Sequence, residues 1–99
     1  MNLAQVSADD FRPHLGRTFF LSEGEGPKVE GLLLEANETG TDSGGEPHRV
    51  PFSLLFRVAT GALPLQGIFR LTHDDLTLDL LMTKVAPDDQ GDRYEAVFN

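Results

Sequence analysis

Val50-Pro51-Phe52-Ser53-Leu54-Leu55-Phe56-Arg57-Val58 is the stretch that decides the fold. Its apolar residues Val50, Phe52, Leu54, Phe56 and Val58 fall on every second position, with Pro51, Ser53, Leu55 and Arg57 between them. Successive side chains of an extended strand point to opposite faces, so this period of two predicts a strand with one face in a core. Leu76, Leu78, Leu80 and Met82 alternate in the same way with Thr77, Asp79, Leu81 and Thr83. Tyr94, Ala96 and Phe98 alternate with Arg93, Glu95 and Val97. The expected core contains Phe52, Leu54, Phe56, Phe69, Leu71, Leu78, Leu80 and Phe98.

Outward from that stretch, short apolar runs separated by turn residues predict strands at Thr18 to Leu21, Lys28 to Ala36, Val50 to Val58, Gly67 to His73, Leu76 to Val85 and Arg93 to Phe98. Glu23-Gly24-Glu25-Gly26-Pro27, Asp74-Asp75 and Pro87-Asp88-Asp89-Gln90-Gly91-Asp92 supply hairpin turns. The connections Asn37 to Arg49 and Ala59 to Gln66 look looser. Ser7, followed by Asp9 and Asp10, marks a helix start, and Pro13 and Gly16 stop it early. Phe11 and Leu15 are then expected to share one apolar face of a lid over the sheet. The fold class predicted is all-β: a small antiparallel β-barrel or curved sandwich of about six strands with a short N-terminal helix, residues 1–99 forming one domain.

The composition excludes several functions. Sixteen acidic against eight basic residues give a formal net charge of −8, whose field repels phosphate backbones and anionic headgroups, so neither nucleic acid nor a membrane is expected as partner. With no cysteine there is no disulfide framework, thiolate nucleophile or Cys-ligated metal. The first residues lack the basic and apolar regions of a secretion signal, and no apolar run approaches the roughly 20 residues of a membrane span, so a cytoplasmic setting is expected.

Candidate chemistry is sparse. Asp42-Ser43-Gly44-Gly45 resembles the nucleophile segment of chymotrypsin-like proteases, yet Thr41 stands where that pattern has Gly, and 99 residues cannot build the two barrels that carry the triad. It reads as a Gly/Ser loop. His14, His48 and His73 sit at no spacing that makes a metal pair. His73-Asp74-Asp75 and the set Asp88, Asp89 and Asp92 read as turns, the latter lacking the alternation and closing Glu of a calcium loop. Gly24-x-Gly26 is too short for a phosphate loop, and Glu23 and Glu25 would repel the anion. No catalytic residue, metal site or cofactor is expected.

Three leucines break the alternation. Leu55 and Leu81 fall on the polar faces of their strands, and Leu33 joins them if Leu32 and Leu34 point inward. If the helix lies across them, they form a second small core. If it caps the barrel end instead, Leu33, Leu55 and Leu81 mark a surface for a protein partner or self-association.

The segments Pro51-Phe52-Ser53-Leu54-Leu55-Phe56-Arg57, Pro64-Leu65-Gln66-Gly67-Ile68-Phe69-Arg70-Leu71-Thr72-His73 and Arg93-Tyr94-Glu95-Ala96-Val97-Phe98-Asn99 resemble a family of short bacterial proteins classed as a domain of unknown function. The resemblance covers the chain from about Phe11. It assigns no catalytic residue. It implies encoding near phage-tail-collar-like proteins, hence a role in a tail-like assembly or its chaperoning, and it makes the Asn37 to Arg49 loop an insertion. The function expected is a non-enzymatic interaction or accessory module. The alternative is a small-ligand-binding or hydrolytic β-barrel whose site is assembled from distant residues.

Overall fold

The computed structural model of the chain describes residues 6–40, 50–74 and 76–98. It is a closed barrel of six antiparallel strands: β1 (Thr18–Ser22), β2 (Val29–Glu38), β3 (Phe52–Val58), β4 (Gln66–His73), β5 (Leu76–Asp88) and β6 (Gly91–Phe98). Around the barrel the order is β1-β2-β3-β6-β5-β4, closed by β4 against β1. Of the two architectures expected, barrel and curved sandwich, the chain adopts the barrel. No helix among the described residues is long and apolar enough to cross a membrane.

The alternation read in the central stretch appears directly as packing. Phe52, Leu54, Phe56 and Val58 of β3 are buried, as are Leu78, Leu80 and Met82 of β5 and Tyr94, Ala96 and Phe98 of β6. All eight residues named for the core lie in it, Phe69 and Leu71 of β4 among them, joined by Phe19 and Leu21 from β1. A small barrel is filled by its own side chains, and here aromatic rings pack among the aliphatic ones: Phe52 stacks on Phe98 at 4.3 Å between ring centroids, and Phe19 meets Phe56 edge to face at 5.6 Å.

The N-terminal segment closes one barrel end. Its short helix α1 (Ala8–Phe11) begins at Ser7, whose N–H donates to the Asp10 carboxylate at 2.8 Å, and passes into one 3₁₀ turn, Arg12–His14. Pro13 fits the start of that turn, where no N–H is needed. Phe11 is fully buried within 6.4 Å of Phe19, 6.0 Å of Phe52 and 6.2 Å of Phe98, all inward-facing residues. The expectation that Phe11 and Leu15 share a face is corrected. The change to 3₁₀ geometry after Phe11 breaks the four-residue spacing, and Leu15 stays outside at 44% exposure.

Two further expectations change. In β2 Gly31 and Leu33 point inward by regular alternation, Leu33 facing Phe56 of β3, and Ala36 follows them because a bulge between Leu33 and Glu35 shifts the register. Leu33 is therefore core and not part of an outer surface. The connection from Ala59 to Leu65 is tied down: Gly61 N–H donates to Asp92 at 2.9 Å, Tyr94 O–H to the Leu63 carbonyl at 2.8 Å, and Lys84 N–H to the Leu65 carbonyl at 2.8 Å. Gly91 opposes Asp88 at the end of the β5–β6 hairpin. A Cβ there would run into the Val58 carbonyl oxygen, so the close approach of the two backbones requires glycine.

Candidate functional site

With the interior packed, what remains for recognition is the outer wall and the barrel ends. On the wall, Ile68 of β4 pairs with Leu81 of β5. Met82 pairs with Ala96, so Leu81 stands beside Val97 of β6, which in turn pairs with Ser53 of β3. Ile68, Leu81 and Val97 are 60%, 63% and 55% exposed and form an apolar row across three hydrogen-bonded strands. Leu65, at the head of β4, is also exposed. One side of the row is bordered by the ion pair of Arg70 with Asp79, the other by Gln66, Thr83 and Glu95.

The three leucines singled out in the sequence separate. Leu81 lies in the middle of the row, Leu55 is half-buried between Glu35 and Glu95 on the neighbouring register, and Leu33 is inside the barrel. Among the described residues of the N-terminal segment none reaches the row, since α1 packs on the barrel end against Phe19, Phe52 and Phe98. Ile68 and Val97 carry no signal in the sequence, because each is a single apolar residue on an otherwise polar strand face. Only the cross-strand register aligns them with Leu81.

The second feature is a pocket of about 390 Å³ at the capped end, lined by Pro13, His14, Arg17, His73 and Asp74. Barrel closure brings together His14, from the 3₁₀ turn, and His73, from the end of β4, with their rings edge to face at 4.7 Å. His73 also stacks on Phe19 at 4.4 Å. Its Nδ1 lies 3.1 Å from the Thr18 carbonyl, which can only accept, so Nδ1–H is the donor of that bond, and Nε2 faces Asp74 at 3.5 Å. No sequence spacing revealed this histidine pair, because the two positions become neighbours only through the β1–β4 closure. Among the described residues, the Arg17 side chain has no hydrogen bond or ion pair, although acidic groups outnumber basic ones in the chain.

The remaining candidates resolve into structure. Asp88 accepts from Arg57 through Nε at 2.8 Å and also through Nη2, while its other oxygen takes the Gln90 N–H at 2.8 Å. The Arg57 guanidinium and then that N–H hold the Asp88 carboxyl below its ordinary value. Asp92 is buried against Gly61 N–H, with the Lys84 ammonium at 3.4 Å. The Asp88 and Asp92 carboxylates thus face different protein donors, and among the described residues no group of three or more His, Asp or Glu is arranged to hold a metal ion. Gly24-x-Gly26 is a tight turn closed by the Gly26 N–H on the Glu23 carbonyl at 2.8 Å. Asp42-Ser43-Gly44-Gly45, His48 and Asp75 lie outside the described residues.

A family model described as Domain of unknown function (DUF6916) matches residues 6–98. The chain belongs to this family. The matched span runs from Val6, buried under the N-terminal cap, to Phe98 at the end of β6, so in this DUF6916 member the cap and all six strands form one family unit. No curated protein and no solved structure matched the chain. DUF6916 membership assigns no activity.

Proposed function

We propose that this DUF6916 chain is a non-enzymatic protein-interaction module, an accessory of a bacterial phage-tail-like assembly, that docks its partner on the Ile68–Leu81–Val97 row. The row carries the reading: three large apolar side chains stand in water side by side on a rigid sheet whose other face is fully packed. The partner is a protein with an apolar patch rimmed by Lys and Arg, since a net charge of −8 attracts a basic surface and opposes a second copy. The tail-like setting rests on the sequence resemblance alone.

The test is capture by the immobilised chain from a lysate of the source organism, followed by direct rebinding of the purified captured protein. Replacing Ile68, Leu81 and Val97 together by Thr keeps strand propensity and should leave the melting temperature within a few degrees, since exposed substitutions move stability by about 0.5 kcal/mol or less each. Rebinding should fall at least tenfold. Equal rebinding by the folded variant would remove the row from the function.

A small-ligand reading has one observation in its favour, the pocket where Arg17, unpaired among the described residues, stands beside His14 and His73. Its ligand would be a small carboxylate or phosphate, held by the guanidinium and an imidazole N–H. Calorimetric titration with acetate and phosphate tests it: saturable binding lost in Arg17→Gln supports this reading, and no heat in either protein rejects it.

A further inference from the structure

We infer that the partner engages as an extended segment, added as a strand to the free edge of β4 at Ile68. This rests on the interaction-module reading and names the form of its partner.

The hydrogen-bond direction along β4 follows from its turn. His73 and Leu76 face each other across a two-residue connection begun by Asp74, whose φ of 50° suits the left-handed turn of a tight hairpin. Residues flanking such a turn form a hydrogen-bonded pair, and bonded pairs recur at every second residue. His73, Leu71, Phe69 and Gly67 therefore direct their N–H and C=O groups to β5, while Thr72, Arg70, Ile68 and Gln66 direct theirs to the other side. There, Thr72 and Arg70 meet Phe20 and Ser22 of β1, and the ladder stops.

Continued by two residues, it would place Gly24 opposite Ile68. Gly24 instead takes φ +53°, its carbonyl accepts the Ser22 hydroxyl at 3.1 Å, and the chain turns away at Glu23–Gly26. Among the described residues no backbone hydrogen bond reaches Ile68 from that side. Its N–H and C=O thus form an open strand edge in an otherwise closed barrel, at the residue whose side chain begins the exposed row.

An open edge flanked by apolar side chains is the template for strand addition. The main chain of the guest bonds to Ile68, and its outward side chains lie beside Ile68 and toward Leu65, extending the row by one strand on the side away from Leu81. Charge selects the guest. The turn that forms the far lip carries Glu23 and Glu25, and Glu25 lies near enough to Arg70 to add to the rise of its pKa, a rise caused chiefly by Asp79. A segment alternating apolar residues with Lys or Arg meets both the row and the acidic lip. A second copy would bring another acidic lip against this one.

The probe is a capped hexapeptide of alternating Lys and Val, titrated into the full chain and followed by amide NMR and hydrogen exchange. Ile68 N–H exchange should slow at least tenfold at saturation. Methylating the peptide nitrogens on its bonding edge should weaken binding at least tenfold, as should Ile68→Pro, which removes the edge N–H without touching the β5 ladder. Ile68→Val should bind like the parent. If the peptide binds with Ile68 exchange unchanged, or the methylated peptide binds equally well, strand addition is wrong while side-chain docking on the row stands. Absence of saturable binding at millimolar peptide overturns strand addition as well. Protection of Ile68 without peptide, with a dimer by light scattering, assigns the edge to a second copy and overturns the partner segment.

Discussion

Asp88 has both carboxylate oxygens engaged at the β5–β6 turn, one by Arg57 and one by the Gln90 N–H. Both contacts favour the ionised form, so its pKa is lower folded than unfolded. The sign follows from linkage: the stabilisation is complete above the ordinary carboxylate value near 4 and is lost as pH falls through the lower folded value. Asp88→Asn keeps a turn-forming side chain but cannot pair with Arg57. Its melting temperature should lie below the parent's at pH 7, and the gap should narrow as pH falls below the ordinary carboxylate value near 4. A gap that stays constant over that fall, followed by circular dichroism, would show that the pair contributes nothing to stability. Asp88 was legible as a turn residue, but Arg57 was not legible as its partner. Arg57 lies on the outer face of β3, which neighbours the β5–β6 turn only because β3 pairs with β6.

At the scale of elements, the N-terminal cap is held chiefly by one side chain. Phe11 contributes the ring that fills the barrel end between Phe19, Phe52 and Phe98, whereas the helix itself is a single turn too short to be stable alone. Phe11→Ala should cost about 3–5 kcal/mol, a large part of the stability of a domain this size, read as a lower urea midpoint with the strand signal intact before the transition. An unchanged midpoint would mean that the cap is not part of the core. The strands were readable because alternation reports burial directly, and it did so in β3, β5 and β6. It failed in β2, where Leu32-Leu33-Leu34 is apolar on both faces, the inward choice is made by pairing with β1 and β3, and a bulge that no residue type announces then turns Ala36 inward. The cap's position was half legible: Ser7 and Pro13 gave its limits, but not whether Phe11 points along the barrel axis or across its wall.

At the scale of the whole molecule, the recognition surface is a product of register. Ile68, Leu81 and Val97 come from three strands, and each alone is an ordinary exposed residue. The same holds for the open edge at Ile68, which exists because β1 ends at Ser22 while β4 extends past it. The strand order also bears on how the chain comes to be folded. β1 is completed by β4 and β3 by β6, so strands from the first half of the chain wait for neighbours from the second. During synthesis the β1–β2 hairpin and β3 have no closed barrel to join until β6 has left the ribosome, and their phenylalanines stay accessible to chaperones until then. Closure of the barrel therefore comes late, and a product truncated within β6 would keep β3 without its second neighbour and the core without Phe98.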